Sequence, residues 1–144
     1  MNYRLIPAER DDYCVCSVLQ AILSMEGIDI SQDDIAGRLT QAEDIGFLVD
    51  DIDIKALMRE YGFRYSYFPH NETPFNEPDF LLEDMSANYG LIGVGHHARL
   101  LQDFKYPQLT MIDPKEGSLV TMDLKEVRGL MASKGGGFGL AKRL

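Results

Sequence analysis

The sequence predicts an α+β domain with N-terminal helices packed on a C-terminal antiparallel sheet. Three observations carry this. The N-terminal part repeats its apolar residues with the helical period. The C-terminal half breaks into short β-rich runs divided by Gly, Pro and Asp. At 144 residues, 45% hydrophobic and 26% charged, the chain can bury one core without disulfides or metal, so residues 1–144 are expected to form a single domain.

In the first helix Val15, Val18, Leu19, Ile22 and Leu23 recur at i, i+3, i+4, i+7 and i+8, which is a buried stripe. Asp11 and Asp12 are its cap candidates and Gly27 its stop. A second helix follows in "ISQDDIAGRL", with Ser31 as N-cap and Asp34 in a variant capping box. "DDIDIKALMREYG" reads as a third, with Ile52, Ile54, Leu57 and Met58 inward and Gly62 as stop. "FRYSYF" alternates and is aromatic, as a strand packed in a sheet would be. "HNETPFNEP" is a loop and "DFLLEDMSANYG" a short helix. "GLIGVG", "HARLLQDF", "LTMID" and "SLVTMD" are strands, and "DPKEG" is a turn between the last two. "LKEVRGLMAS" is a late helix, "KGGGFG" a flexible turn, and "FGLAKRL" a last strand. "KGGGFG" lacks the Gly-Lys-Ser/Thr ending of a phosphate loop. Met25, Met58, Met85, Met111, Met122 and Met131 are core fillers.

The net charge of −9 repels phosphate, which excludes nucleic acid as a main partner. Its first effect is solubility, and a basic peptide is the partner it would suit. No apolar run approaches the ~18 residues of a membrane span, and "MNYRLIPAERDD" has no signal-peptide core. A cytoplasmic protein is therefore expected, its two cysteines free thiols. Oligomeric state stays open.

Both cysteines lie in "DDYCVCSVLQAIL". A thiol at a helix N-terminus feels the positive end of the macrodipole, which favours the reactive thiolate. Cys14 occupies that first turn. Cys16 lies about 200° further round, on the side of Gln20. Asp11 and Asp12 act against the thiolate, and an imidazolium partner would restore the balance. Of the three histidines, His70 reads as an exposed loop residue, whereas "GVGHHARLL" places His96 and His97 at the opening of a strand. Alternation puts His97 with Arg99 on one face and His96 with Ala98 on the other, so only one can face a given site. Asp113 ends the next strand, sixteen residues after His97. There it would orient the ring and stabilise imidazolium.

In this order and spacing the chain resembles the papain-like cysteine peptidases, and most of all the small domains that cut double-glycine leaders from bacteriocin precursors. "YCVCSVLQAILSMEG" matches their opening helix, with Cys14 at the nucleophile, Leu19 at the Leu and Gly27 at the helix end. "HHARLL…MIDP" resembles their His strand followed by Asp-Pro. The resemblance implies a papain-like fold and a hydrolase that cleaves an amide bond through a Cys-His-Asp triad and a thioester, without cofactor or metal. Its substrate would be a peptide or small amide. The general base would be His97 or His96: His97 through its His-Ala at a strand start, His96 through the preceding Gly95. Three positions depart from the family. Val15 replaces a Gly, Tyr13 replaces an acid, and Ala8 stands where the family has the Gln that donates to the oxyanion. Glu9 next to it accepts rather than donates when ionised. Another donor would serve, or activity is weak or lost.

The first rival reading is thus a non-catalytic papain-like module that binds peptides. A zinc site from Cys14, Cys16, His96 and His97 is a second, opposed by thiols that diverge on a helix and rings that diverge on a strand. The third is a purely structural domain.

Overall fold

The computed structural model of the chain describes residues 3–42, 46–47, 52–70 and 89–144. The predicted loop after His70, most of the predicted helix "DFLLEDMSANYG" and Met85 lie outside the described residues.

Helix α1 spans Cys14–Met25 and buries Val15, Val18, Leu19, Ile22 and Leu23 almost completely. Burying a side chain of this size is worth about 1.5–3 kcal/mol, so the stripe anchors the helix. Its cap is not an Asp. A turn in which the Tyr13 N–H donates to the Arg10 carbonyl (3.0 Å) makes Tyr13 the N-cap and leaves Asp11 and Asp12 ahead of it. The Tyr13 hydroxyl instead donates to Asp33 Oδ1 at 2.8 Å, tying α1 to α2. Gly27 follows the helix at φ +76°, a value that favours glycine. Helix α2, Gln32–Ala36, starts at Ser31, whose hydroxyl accepts the Asp34 N–H at 3.1 Å, as its sequence indicates. Two short strands absent from the sequence reading, β1 (Gln41–Ala42) and β2 (Gly46–Phe47), pair antiparallel. Helix α3, Ile52–Glu60, buries Ile54, Leu57 and Met58. Ile52 is 76% exposed, against expectation. Two residues before Ile54 is a step of about 200°, onto the opposite face.

The remaining strands are β3 (Phe63–Pro69), β4 (Tyr89–Val94), β5 (His97–Lys105), β6 (Gln108–Asp113), β7 (Ser118–Asp123) and β8 (Gly136–Arg143). They form one antiparallel sheet in the order β3-β8-β4-β5-β6-β7. Tyr89 and Gly90, expected to end a helix, begin β4. Helices α1 and α3 cover one face over Phe63, Leu91, Leu100 and Ile112. Helix α4, Leu124–Lys134, capped by Asp123, covers the other over Ile92, Met111 and Phe138. Met58, Met111 and Met131 are fully buried, as core fillers should be, whereas Met25 and Met122 are only half-buried.

The glycine run is not a flexible turn. It opens β8, which lies between β3 and β4. A Cβ on Gly136 would stand 2.0 Å from the Gly93 carbonyl oxygen, and one on Gly137 2.3 Å from that of Phe68. The hydroxyl of Tyr65 lies over Gly139 and that of Tyr67 over Gly137. The aromatic alternation of "FRYSYF" therefore packs the sheet, filling the space these glycines leave.

Candidate active site

The sequence-predicted residues meet where α1 begins, the β4–β5 turn ends and the β6–β7 turn begins. Cys14 is the first residue of α1 and is half-buried. Its position comes from the buried stripe, which presses α1 against β5 and aims its N-terminus at the start of that strand. His97 opens β5 and Asp113 closes β6. His97 Nε2 donates to Asp113 Oδ2 at 2.9 Å. The Cys14 thiol lines one cavity with this ring. Its hydrogen bond is the largest influence on His97 and raises the imidazole pKa above the usual 6.5; burial opposes this and Asp113 supports it.

The two histidines separate. His96 is not in the strand but in the tight turn with Gly95, whose φ is +60°. Its ring faces solvent and its carbonyl accepts the Cys14 thiol at 3.9 Å. His70 is half-buried rather than exposed, its Nδ1 donating to the Gly136 carbonyl at 3.1 Å. Cys16 is fully buried in the core, and burial pushes its thiol up to about 12. Burial favours the protonated form of Cys16 over the reactive thiolate. Among the described residues no group of three His, Cys, Asp or Glu is arranged to hold a metal, and no helix is long and apolar enough to cross a membrane.

Asp113 is held from three sides. The Lys115 N–H donates to Oδ1 at 2.9 Å, while His97 Nε2 and Arg99 Nε (3.2 Å) share Oδ2. Burial alone would raise its pKa; these donors overcome it and hold the carboxyl below its ordinary value. Arg99 escaped the sequence reading as a site residue, although alternation placed it on the face of His97.

A cavity of about 270 Å³ opens over the thiol, lined by Ala8, Arg10, Asp11, Cys14, His97 and Lys115. The segment carrying Ala8 is clamped by a buried polar network. Gln32, fully buried, donates to the carbonyls of Ile6 and Pro7 and to Gln20 Oε1, and accepts the Glu9 N–H at 2.9 Å. Ser17 donates to the Ile6 carbonyl at 2.6 Å. The Ala8 N–H itself donates to the Pro114 carbonyl at 2.7 Å. The N–H groups of residues 8 and 9 are thus consumed by the fold. The Cys14 N–H, at the first turn of α1, has no acceptor within its own helix. Sequence periodicity marks Ser17, Gln20 and Gln32 only as polar helix positions; their partners come from a separate segment.

No protein-family model matches the sequence, and a search of curated proteins finds no match. Solved structures do match. The peptidase domain of Streptococcus ComA, described as a bifunctional ABC transporter in quorum sensing, aligns with 99% of this chain and 100% of its own at TM-score 0.69 and 17% identity. A double-glycine motif protease of an AMS/PCAT transporter, solved with its leader peptide, aligns with 99% of this chain and 93% of its own at TM-score 0.70 and 18% identity. A C39-like peptidase from Bacillus anthracis aligns over 99% and 96% at TM-score 0.67 and 12% identity. The chain has the papain-like fold of these peptidase domains. The expectation of an α+β papain-like architecture therefore holds.

Proposed function

We propose that the chain is a cysteine peptidase that cleaves a peptide bond through Cys14, His97 and Asp113. The observation that carries this reading is that His97, bonded through Nε2 to Asp113 Oδ2 at 2.9 Å, lines one cavity with Cys14. His97 takes the thiol proton on Nδ1, the nitrogen that Asp113 leaves free. The thiolate attacks the scissile carbonyl carbon, and its oxygen takes the displaced electron pair. The Cys14 N–H donates to that oxyanion. The intermediate collapses, His97 protonates the departing amine, and a thioester remains on Sγ. Water, deprotonated by His97, hydrolyses it to a carboxylate and regenerates the thiol. No metal or organic group enters these steps.

A peptide with a double glycine before the scissile bond is the substrate to test first, because one structural neighbour is described as a double-glycine motif protease. A small amide is the alternative. A free thiol nucleophile needs a reducing compartment, which makes the cytoplasm the proposed location. A specific observation favours a second reading: Ala8 offers no side-chain donor, and its N–H is taken by Pro114. Loss of one oxyanion donor costs roughly 10²–10³ in rate, so a non-catalytic peptide-binding module is the competitor.

The deciding experiment is site-resolved alkylation by iodoacetamide across pH, in the wild type and in His97→Ala. Fast reaction of Cys14 well below pH 7 that slows without His97 supports the ion pair and justifies assays with double-glycine peptides. A Cys14 that titrates as a free thiol near pH ~8.5, indifferent to His97, removes the catalytic reading and leaves the binding module.

A further inference from the structure

At the opposite end of the sheet from His97 lies a cationic patch unlike the rest of the chain. Lys55 and Arg59 on α3 and Arg64 on β3 line a concavity of about 300 Å³ with Phe63, Tyr65 and Leu144. Lys142, directly across from Arg64 in the β3–β8 register, adds a fourth cation. All four are exposed. Among the described residues none of them forms an ion pair. Glu60 pairs with Arg38 and Glu26 with Arg143 (3.1 Å), and Asp53 accepts from the Thr40 hydroxyl.

This arrangement works against the fold's own stability. Lys55 and Arg59 stand at i,i+4 on one helix, where like charges cost a few tenths of a kcal/mol. Arg64 and Lys142 are a directly opposed cross-strand pair, where like charges also destabilise. Solubility does not ask for these cations in a chain of net charge −9. They create a local field of opposite sign to that of the whole molecule. Protecting a sheet edge accounts for Arg64 but not for the pair on α3.

We infer that this concavity is a docking site for an acidic, amphipathic peptide segment of another protein. Carboxylates would pair with Lys55, Arg59, Arg64 and Lys142, and apolar side chains would cover Leu144, which is 77% exposed. The cavity exceeds what a lone phosphate fills, and the acidic remainder of the chain repels a polyanion such as nucleic acid. The site is remote from Cys14. Strand β3 runs its seven residues from Phe63, opposite Arg143, to Pro69, opposite Gly137 at the His97 end, a distance of roughly 20 Å. Docking therefore does not depend on the peptidase reading.

Fluorescence anisotropy with a fluorescein-labelled Glu/Leu peptide tests the inference without any turnover. Binding should weaken as salt rises and fall about tenfold or more in the Lys55→Glu/Arg59→Glu variant. Lys125→Glu, an exposed position at the start of α4, should leave it unchanged. Because the substituted residues are exposed, an unchanged circular dichroism spectrum and Cys14 alkylation rate will show that the variant is folded. No binding by the wild type, or equal binding by the charge-reversed variant, overturns the inference. Displacement of the peptide by low-millimolar inorganic phosphate also overturns it, in favour of a small-anion site.

Discussion

His97 donates Nε2–H to Oδ2 of Asp113 at 2.9 Å, across two neighbouring strands. The bond fixes the proton on Nε2 and leaves Nδ1 to other partners. His97 should therefore titrate above 6.5, since both its partners favour the charged form. NMR of the imidazole will show this, and Cys14→Ala and Asp113→Asn should each lower the value. The sign for stability follows. A raised His97 pKa stabilises the fold fully below pH 6.5, and that contribution is lost as pH rises through the folded value. Asp113, whose pKa is lowered, contributes above its ordinary 3.8 and loses that contribution as pH falls through its folded value. If cleavage is found, His97→Ala should slow it by ~10²–10⁴-fold, the usual worth of a positioned general base.

Arg99 shares Oδ2 with His97 and is a positioning residue for it. Arg99→Gln should release the full charge of Asp113 toward His97 and raise the imidazole pKa further. A purely structural Arg99 would leave that pKa unmoved. Denaturant unfolding should also register a loss of about 1.5–3 kcal/mol, the range for a hydrogen bond to a charged group.

Gln32 holds the segment that forms one wall of the cavity. Gln32→Ala removes the donor to the Pro7 carbonyl and to Gln20 Oε1 and the acceptor of the Glu9 N–H, while the Ile6 carbonyl keeps Ser17. Urea titration should show a loss of about 1–3 kcal/mol, the cost of leaving polar groups without partners. Hydrogen exchange at Glu9 should accelerate more than exchange in β5.

Gly136 and Gly129 make a contrasting pair. Gly136→Ala would press a Cβ to 2.0 Å from the Gly93 carbonyl at a backbone φ of +124°. A loss of about 2–4 kcal/mol is expected. Gly129 lies inside α4 with nothing within 4 Å of its Cβ position. Gly129→Ala should stabilise by up to about 1 kcal/mol. Thermal unfolding of the two variants reads both signs.

The sequence alone determined whatever depends on local periodicity. The stripe from Val15 to Leu23 set α1, and with it the position of Cys14 at a helix start. Ser31 set the start of α2, and the alternating runs set β5 to β7, with His97 and Asp113 at their ends. Side-chain direction within one element is fixed by its own repeat, so these features need no knowledge of the partner. Tertiary structure decided what depends on approach between distant segments. It turned the glycine run into a central strand, because backbone closeness to Gly93 and Phe68 is invisible along the chain. It separated His96 from His97 by ending the strand between them. It buried Cys16, exposed Ile52, and joined Ser17, Gln20 and Gln32 into the clamp that engages the N–H groups beside Ala8. Each of these is a contact between segments whose separation along the chain carries no pattern. A one-residue rotation or register choice decides them, and packing makes that choice.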